Sequence, residues 1–292
     1  MLFLAFVVLW AAYILAVLTP LGQQLENAAL SGAHQASRES TNQANQALGN
    51  ITLVSLSVVG IIIVGIGVYR RQFALTSLAV GVIVGGQAIT QVLKRYLLDR
   101  PNLSGAGPGI RHNSFPSGHT TVAMTLLVAI FLVVPYRWRG ITMFLVLTWA
   151  TGIGAFTITA GWHRFSDTLG ADMVTLIVGA IASLVLLKTG RLREAPTRPK
   201  IRVVFVVVVA VVGTVSLGLG LLLAVLTAHQ PLNDPVIQWD LYLAANSLAS
   251  GSSIMTALLF WASWRRIDVV PTIAKVSRST GYPSSAGSIA GV

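Results

Sequence analysis

The chain has 292 residues, 54% apolar and only 10% charged, with no cysteine and 20 basic against 9 acidic residues, for a formal charge of +11. Soluble globular chains carry about 25% charged residues; with a mean hydropathy of +0.75 and apolar runs too long for core helices, a soluble two-domain protein is excluded. So are a disulfide framework and a cysteine metal site.

An apolar stretch of about 20 residues crosses the hydrocarbon as a helix, because a helix satisfies its own backbone there. Eight such stretches are predicted, at 2–19, 52–69, 73–93, 120–136, 140–161, 169–188, 203–228 and 244–264. The first lacks a positive leader and a small-residue cleavage site, so it is expected as a retained helix. The last is the weakest, diluted by Asn246 and the Ser250-Gly251-Ser252-Ser253 run. The fold class is an all-α polytopic membrane helical bundle of about eight transmembrane helices.

Sorting the charge by position decides its meaning. Arg70, Arg71, Arg137, Arg139, Arg265, Arg266, six basic residues from Lys188 to Arg202, and Lys275 and Arg278 place 14 of the 20 basic residues on one side. The positive-inside rule makes that side cytoplasmic, with both termini there. No basic stripe interleaved with aromatics exists, so nucleic acid is not an expected partner. Six basic residues remain outside: Arg38, Lys94, Arg95, Arg100, Arg111 and Arg164. Five of them crowd into the outer loops 94–119 and 162–168, against the orientation rule, which suggests a function for them.

Outer segment 22–50, rich in Gln, Asn, Ala and Ser, is either an interfacial helix covering the site or a solvated linker. Segment 229–243 carries Asp234 and Asp240 and is otherwise uninformative. The tail after Arg266 is expected to be disordered. The domain division is therefore an N-terminal transmembrane helix (1–21), an extracytoplasmic polar segment (22–50), a catalytic core (51–190), a basic cytoplasmic loop with the last two helices (191–264) and a cytoplasmic tail (265–292).

Three elements in the outer loops carry chemistry. Lys94-Arg95 and Arg100-Pro101 close the third span, where Pro101 ends the helix; alone, they also fit cations snorkelling at a boundary. Pro116-Ser117-Gly118-His119 opens the fourth. A helix N-terminus offers free N–H groups to an anion, Ser117 can cap it, Gly118 admits a ligand to the backbone, and His119 sits in the first turn. His163 and Asp167 precede the sixth span four residues apart, on one helical face. The carboxylate can hold one ring nitrogen and leave the other free as nucleophile or base. Two histidines, an acid, several cations and a helix N-terminus at one membrane level suit phosphoryl transfer. They suit a metal poorly, even with His112 counted as a fourth ligand.

At these residues the sequence resembles the membrane branch of the type 2 phosphatidic acid phosphatase (PAP2) superfamily. Its three motifs are Lys-x6-Arg-Pro, Pro-Ser-Gly-His and Ser-Arg-x5-His-x3-Asp, and the resemblance covers roughly residues 94–167 within a six-helix core. It implies that His163 attacks phosphorus to form a phosphohistidine, that Asp167 orients it, and that His119 protonates the leaving group and then activates water. It implies that Lys94, Arg100, Ser117 and Gly118 hold the phosphate oxygens, with no metal or other cofactor. Two departures stand out. Lys94 and Arg100 are separated by five residues, which turns Lys94 by about 100° on a helix and makes Arg95 an alternative. The third motif's Ser-Arg falls on Phe156 and Thr157, so Arg164, or more distantly Arg111, is expected to replace the missing cation, and Arg164→Ala is expected to cut activity without affecting folding.

The function expected is a metal-independent phosphatase for a lipid or isoprenoid phosphate or diphosphate at the outer face of the plasma membrane. A phosphotransferase with the same intermediate and a non-catalytic lipid-phosphate binder are the alternatives, and oligomeric state is open. Among smaller features, Asp172 is either a functional intramembrane acid or interfacially solvated. Gly81-x3-Gly85 fits close helix packing within the bundle. Asn50-Ile51-Thr52 and Asn102-Leu103-Ser104 match glycosylation sequons.

Overall fold

A computed structural model describes residues 1–50, 56–105, 107, 112–195 and 200–269. Among them the chain forms ten α-helices: α1 (Leu2–Ala12), α2 (Pro20–Ala33), α3 (Arg38–Asn50), α4 (Leu56–Tyr69), α5 (Phe73–Val92), α6 (Gly118–Val133), α7 (Arg139–Thr159), α8 (Phe165–Lys188), α9 (Lys200–Thr227) and α10 (Pro235–Ser263). It is an all-helical bundle, and its long apolar helices make it a multi-pass membrane protein. Each predicted span coincides with a helix. Five segments (73–97, 136–159, 165–188, 203–227 and 235–263) are long and apolar enough to cross a bilayer, and a sixth is added if 2–17 and 20–33 are taken as one bent span. The helices at 57–69 and 118–133 are shorter.

The short α6 is the centre of the bundle. Every residue from Thr120 to Val133 is buried, packed by α5, α7 and α8. A helix apolar on all sides belongs in such a position, and protein, not lipid, surrounds it. α9 lies at the periphery, with Val203, Val207, Val211, Leu222 and Val225 exposed.

Segment 22–50 is helical, and α2 is a packed element. After α1 a π-helical turn (Tyr13–Val17) leads to Thr19, whose hydroxyl accepts from Gly22 N–H at 3.0 Å, and Pro20 begins α2 at 82° to the preceding helix. Proline cannot continue the incoming ladder but suits a first helical turn. α2 then packs along α10. That helix begins at Pro235, capped by Asp234 Oδ1 on Val236 N–H at 2.8 Å, nine residues before the predicted span.

At the opposite end from His119 and His163 the basic clusters converge. Arg70 Nη1 donates to the Val133 carbonyl. Arg139, 1% exposed, pairs with Asp268 at 3.3 Å and lies 4.9 Å over the Phe131 ring, while Arg193 reaches the same carboxylate at 3.2 Å. Asp268 belongs to strand β2 (Ile267–Val269), antiparallel to β1 (Leu192–Glu194). Order thus continues past Arg266 to Val269, because Asp268 is needed by a buried arginine; the rest of the expected tail lies outside the described residues. Two further expectations change. Among the described residues, Cβ atoms on Gly81 and Gly85 would meet nothing within 4 Å, so that pair makes no close packing there; the contact falls instead on Gly86, against Thr125. Asp172 is fully buried, and Ser252 and Ser253 donate to its carboxylate at 3.0–3.1 Å. The serines that dilute the eighth span are its partners.

Candidate active site

The site is built where α5 ends and α6 and α8 begin. α5 closes in a π-helical turn, Leu93–Leu97. The Asn113 side-chain amide donates to the Lys94 and Leu98 carbonyls there, and its own oxygen accepts from Phe115 N–H. The first element is thereby fixed to the loop that carries the second. The wider turn directs both Lys94 and Arg95 into a cavity of about 330 Å3, whose wall also includes Gln87, Gln91, Gly118, His119, Val122 and His163.

Ser117 caps α6: its hydroxyl accepts from Thr120 N–H at 3.3 Å and from the Thr120 hydroxyl at 3.1 Å, and its side chain is buried. Its backbone N–H donates to the Asp167 carbonyl at 2.8 Å, joining the second element to the third. Gly118 faces the cavity, and a Cβ there would meet only Gln91 Nε2 at 3.7 Å. No neighbour among the described residues requires glycine, so the missing side chain leaves room for a ligand near the helix N-terminus.

His163 Nδ1 lies 3.2 Å from Asp167 Oδ2, which also accepts from Arg164 N–H at 2.9 Å. This leaves Nε2 as the ring nitrogen without a carboxylate partner, in the tautomer that the carboxylate selects. The backbone N–H of His163 donates to the Thr157 carbonyl at 3.1 Å. Thr157 is buried, and its hydroxyl donates to the Gly154 carbonyl. Burial is the main cause that pushes the His163 imidazole below its ordinary 6.5, with Asp167 acting against it. The His119 and His163 ring centroids are 6.2 Å apart, and the Trp162 ring lies 5.3 Å from His119.

Lys94, Gly118, His119 and His163 therefore share the cavity wall, with Asp167 directly behind His163. Arg164 lies elsewhere than expected. It caps α8, and its guanidinium donates to Asn27 Oδ1 at 3.2–3.3 Å and to Ser114 Oγ at 2.9 Å. Arg100 is behind the wall, its side chain 3% exposed, 3.9 Å from Glu26 Oε2. Arg111 lies outside the described residues, and His112 is exposed. Among the described residues no group of three or more His, Cys, Asp or Glu is placed to hold a metal ion. A second cavity of about 300 Å3, between Tyr136, Val203, Trp261 and Arg265, holds neither histidine.

α2 is the part that sequence reasoning left open. The Gln23 amide donates to the Val17 and Pro101 carbonyls and its oxygen accepts from Leu103 N–H. Asn27 donates to Ser104 Oγ, and Glu26 Oε1 accepts from Ser166 N–H at 2.9 Å. The sequon at Asn102 is thus pinned along α2, while the one at Asn50 runs beyond the described residues. Gln87 and Gln91 were also missed, although two amides four residues apart in an apolar span are a readable signal.

Fold and site together define a polytopic helical membrane protein with a cation-lined, paired-histidine cavity at one end of the bundle. Residues 73–191 match the family model of the PAP2 superfamily. That match points to phosphatase or phosphotransferase activity on phosphate esters. No curated protein and no solved structure matches the chain.

Proposed function

We propose that the chain is a metal-independent phosphatase acting on a lipid or isoprenoid phosphate or diphosphate at the extracytoplasmic face of the plasma membrane. The observation that carries this is the histidine pair: His163, backed by Asp167 at 3.2 Å, and His119, 6.2 Å away between ring centroids, in one cavity with Lys94 and Arg95. His163 Nε2 attacks phosphorus and the ester P–O bond breaks. Its electron pair stays on the leaving oxygen, which takes a proton from His119. His119 then accepts a proton from water, the hydroxide attacks phosphorus, and the P–N bond breaks back to His163.

Lys94, Arg95 and the Gly118 N–H hold the equatorial oxygens where negative charge is spread. Arg95, on the cavity wall, is the cation that would compensate for the arginine missing at Thr157. Arg100 supplies a further cation from behind the wall, and Ser117 serves through the helix end that it caps. The membrane bundle suits a lipid substrate: a headgroup reaches the cavity while its tail stays in hydrocarbon. The positive-inside distribution of 14 basic residues supports the sidedness.

The test is purified protein in detergent with a panel of lipid phosphates and diphosphates, with and without EDTA. Phosphate release that resists EDTA and disappears in His163→Ala is expected. Activity that needs an added divalent metal would overturn the mechanism, and binding without release from any substrate would leave a lipid-phosphate binder.

A further inference from the structure

The buried contact between Glu26 and Arg100 is an unfinished pair. Among the described residues, Arg100 Nη1 and Nη2 and Glu26 Oε2 are all buried without a hydrogen-bond partner, and the nearest approach between the two groups is 3.9 Å. Charge holds them together with no hydrogen bond made. A buried guanidinium with open N–H groups is costly unless an anion completes it. Glu26 is held from the other side, because Oε1 accepts from Ser166 N–H at the start of the helix that carries Asp167.

We propose that Glu26 is a positioning residue of the phosphate site: as a carboxylate it holds Arg100 while the site is empty, and it takes up a proton when a phosphoryl dianion reaches that guanidinium. The proposal rests on the cavity being a phosphate site. A dianion arriving beside a buried carboxylate meets like-charge repulsion. A proton taken from solvent onto Oε2 removes that repulsion and releases the Arg100 guanidinium to the phosphate oxygens.

The surroundings favour this step. Glu26 is the sole ionisable residue of α2. It faces Arg100 from the segment after α5, and Asp167 from α8; Arg164, at the α8 cap, is close to Arg100. α10, packed along α2, brings Tyr242 to Gly32 and bonds it to Thr159 of α7, while His34 lies against Gly161. Burial first, and the Asp167 charge second, push the Glu26 carboxyl up to about 7, against the opposing pull of Ser166 and Arg100. An empty site therefore holds a carboxyl that needs only a small further shift to bind its proton near neutrality.

Tungstate, a tetrahedral dianion whose charge is constant between pH 6 and 8, is the probe. Calorimetric titration at pH 7.5 in two buffers of different ionisation enthalpy is expected to show proton uptake by the wild-type protein and none assigned to this group in Glu26→Gln. Affinity is expected to rise roughly tenfold from pH 8 to 6 in the wild type, as a group near pH 7 that is protonated in the complex requires. Glu26→Gln, which keeps an acceptor for Ser166 N–H, is expected to lose that rise, while any contribution of the histidines stays common to both proteins. Tungstate binding without proton uptake, or an equal pH slope in the variant, overturns the role of Glu26 and leaves the phosphate site standing. Failure of the wild type to bind tungstate overturns both. Glu26→Asp, which keeps a titrating carboxyl, is expected to retain the proton uptake and the pH slope, and serves as the second variant if Glu26→Gln does not fold.

Discussion

Asp167 Oδ2 is shared between the His163 ring and the Arg164 backbone N–H, at 3.2 and 2.9 Å. One carboxylate oxygen thus orients the imidazole and caps the helix that presents it. Asp167→Asn keeps the shape but puts an amide where an acceptor is needed, so the ring can no longer hold the tautomer that frees Nε2. Turnover is expected to fall by about 10^4-fold, as in other histidine–carboxylate pairs, with a smaller loss of stability from the weakened cap. Steady-state kinetics beside a thermal melt separate the two effects.

His119 and His163 have different tasks, and a substrate with a good leaving group distinguishes them. With such a substrate the first step needs little help from an acid, whereas attack by water still needs a base. His119→Ala is expected to slow turnover by about 10^2–10^4-fold and to accumulate an acid-labile phosphoprotein. His163→Ala is expected to form none. Rapid quench with labelled substrate reads both, and label trapped in His163→Ala would give the nucleophile to another residue.

Burial makes neutral His163 the favoured form, which fixes the sign of two pH effects. Its folded-state value is lowered from 6.5, so the nucleophile stays unprotonated through 6.5 and the acid limb of kcat/KM falls below that pH. For stability, the unfolded chain binds the proton more readily, so this group's contribution is complete above about 6.5 and is lost as pH falls. An acid limb centred above 6.5 in the pH–rate profile would contradict this environment.

The expected effect of Arg164→Ala changes with the structure. Its guanidinium joins Asn27 of α2 to Ser114 of the loop before α6, so its removal leaves buried polar groups unpaired at about 1–3 kcal/mol. Both melting temperature and activity are expected to fall. Arg95→Ala, at an exposed side chain on the cavity wall, is expected to raise KM severalfold with an unchanged melt. The converse pattern would exchange their roles.

Gly170 is a steric test of how the second element is held. A Cβ there would come within 2.7 Å of the Phe115 ring and 3.1 Å of Pro116. Gly170→Ala is expected to cost about 1–3 kcal/mol by overpacking and to shift the Ser117–His119 turn, lowering kcat. A melt and activity equal to wild type would show that the loop yields freely.

The sequence by itself determined the helical membrane bundle, because runs of about 20 apolar residues admit little else. It also pointed to the pairing of His163 with Asp167, because their spacing is local; His163 in fact precedes the helix cap at Arg164, and packing alone brings His119 beside them. It could not assign segment 22–50, since Glu26, Asn27 and Gln23 are ordinary polar residues until α2 turns 82° and meets Pro101, Arg164 and Ser166. Nor could it choose between Lys94 and Arg95, because that choice depends on a π turn held by Asn113 nineteen residues further on. Of the six basic residues set against the orientation rule, tertiary structure alone separated Lys94 and Arg95, on the cavity wall, from Arg100 and Arg164, buried behind it with partners from α2. Sequence records that positive charge gathers near two histidines; only packing decides which of those charges lie open on the cavity wall and which are held behind it.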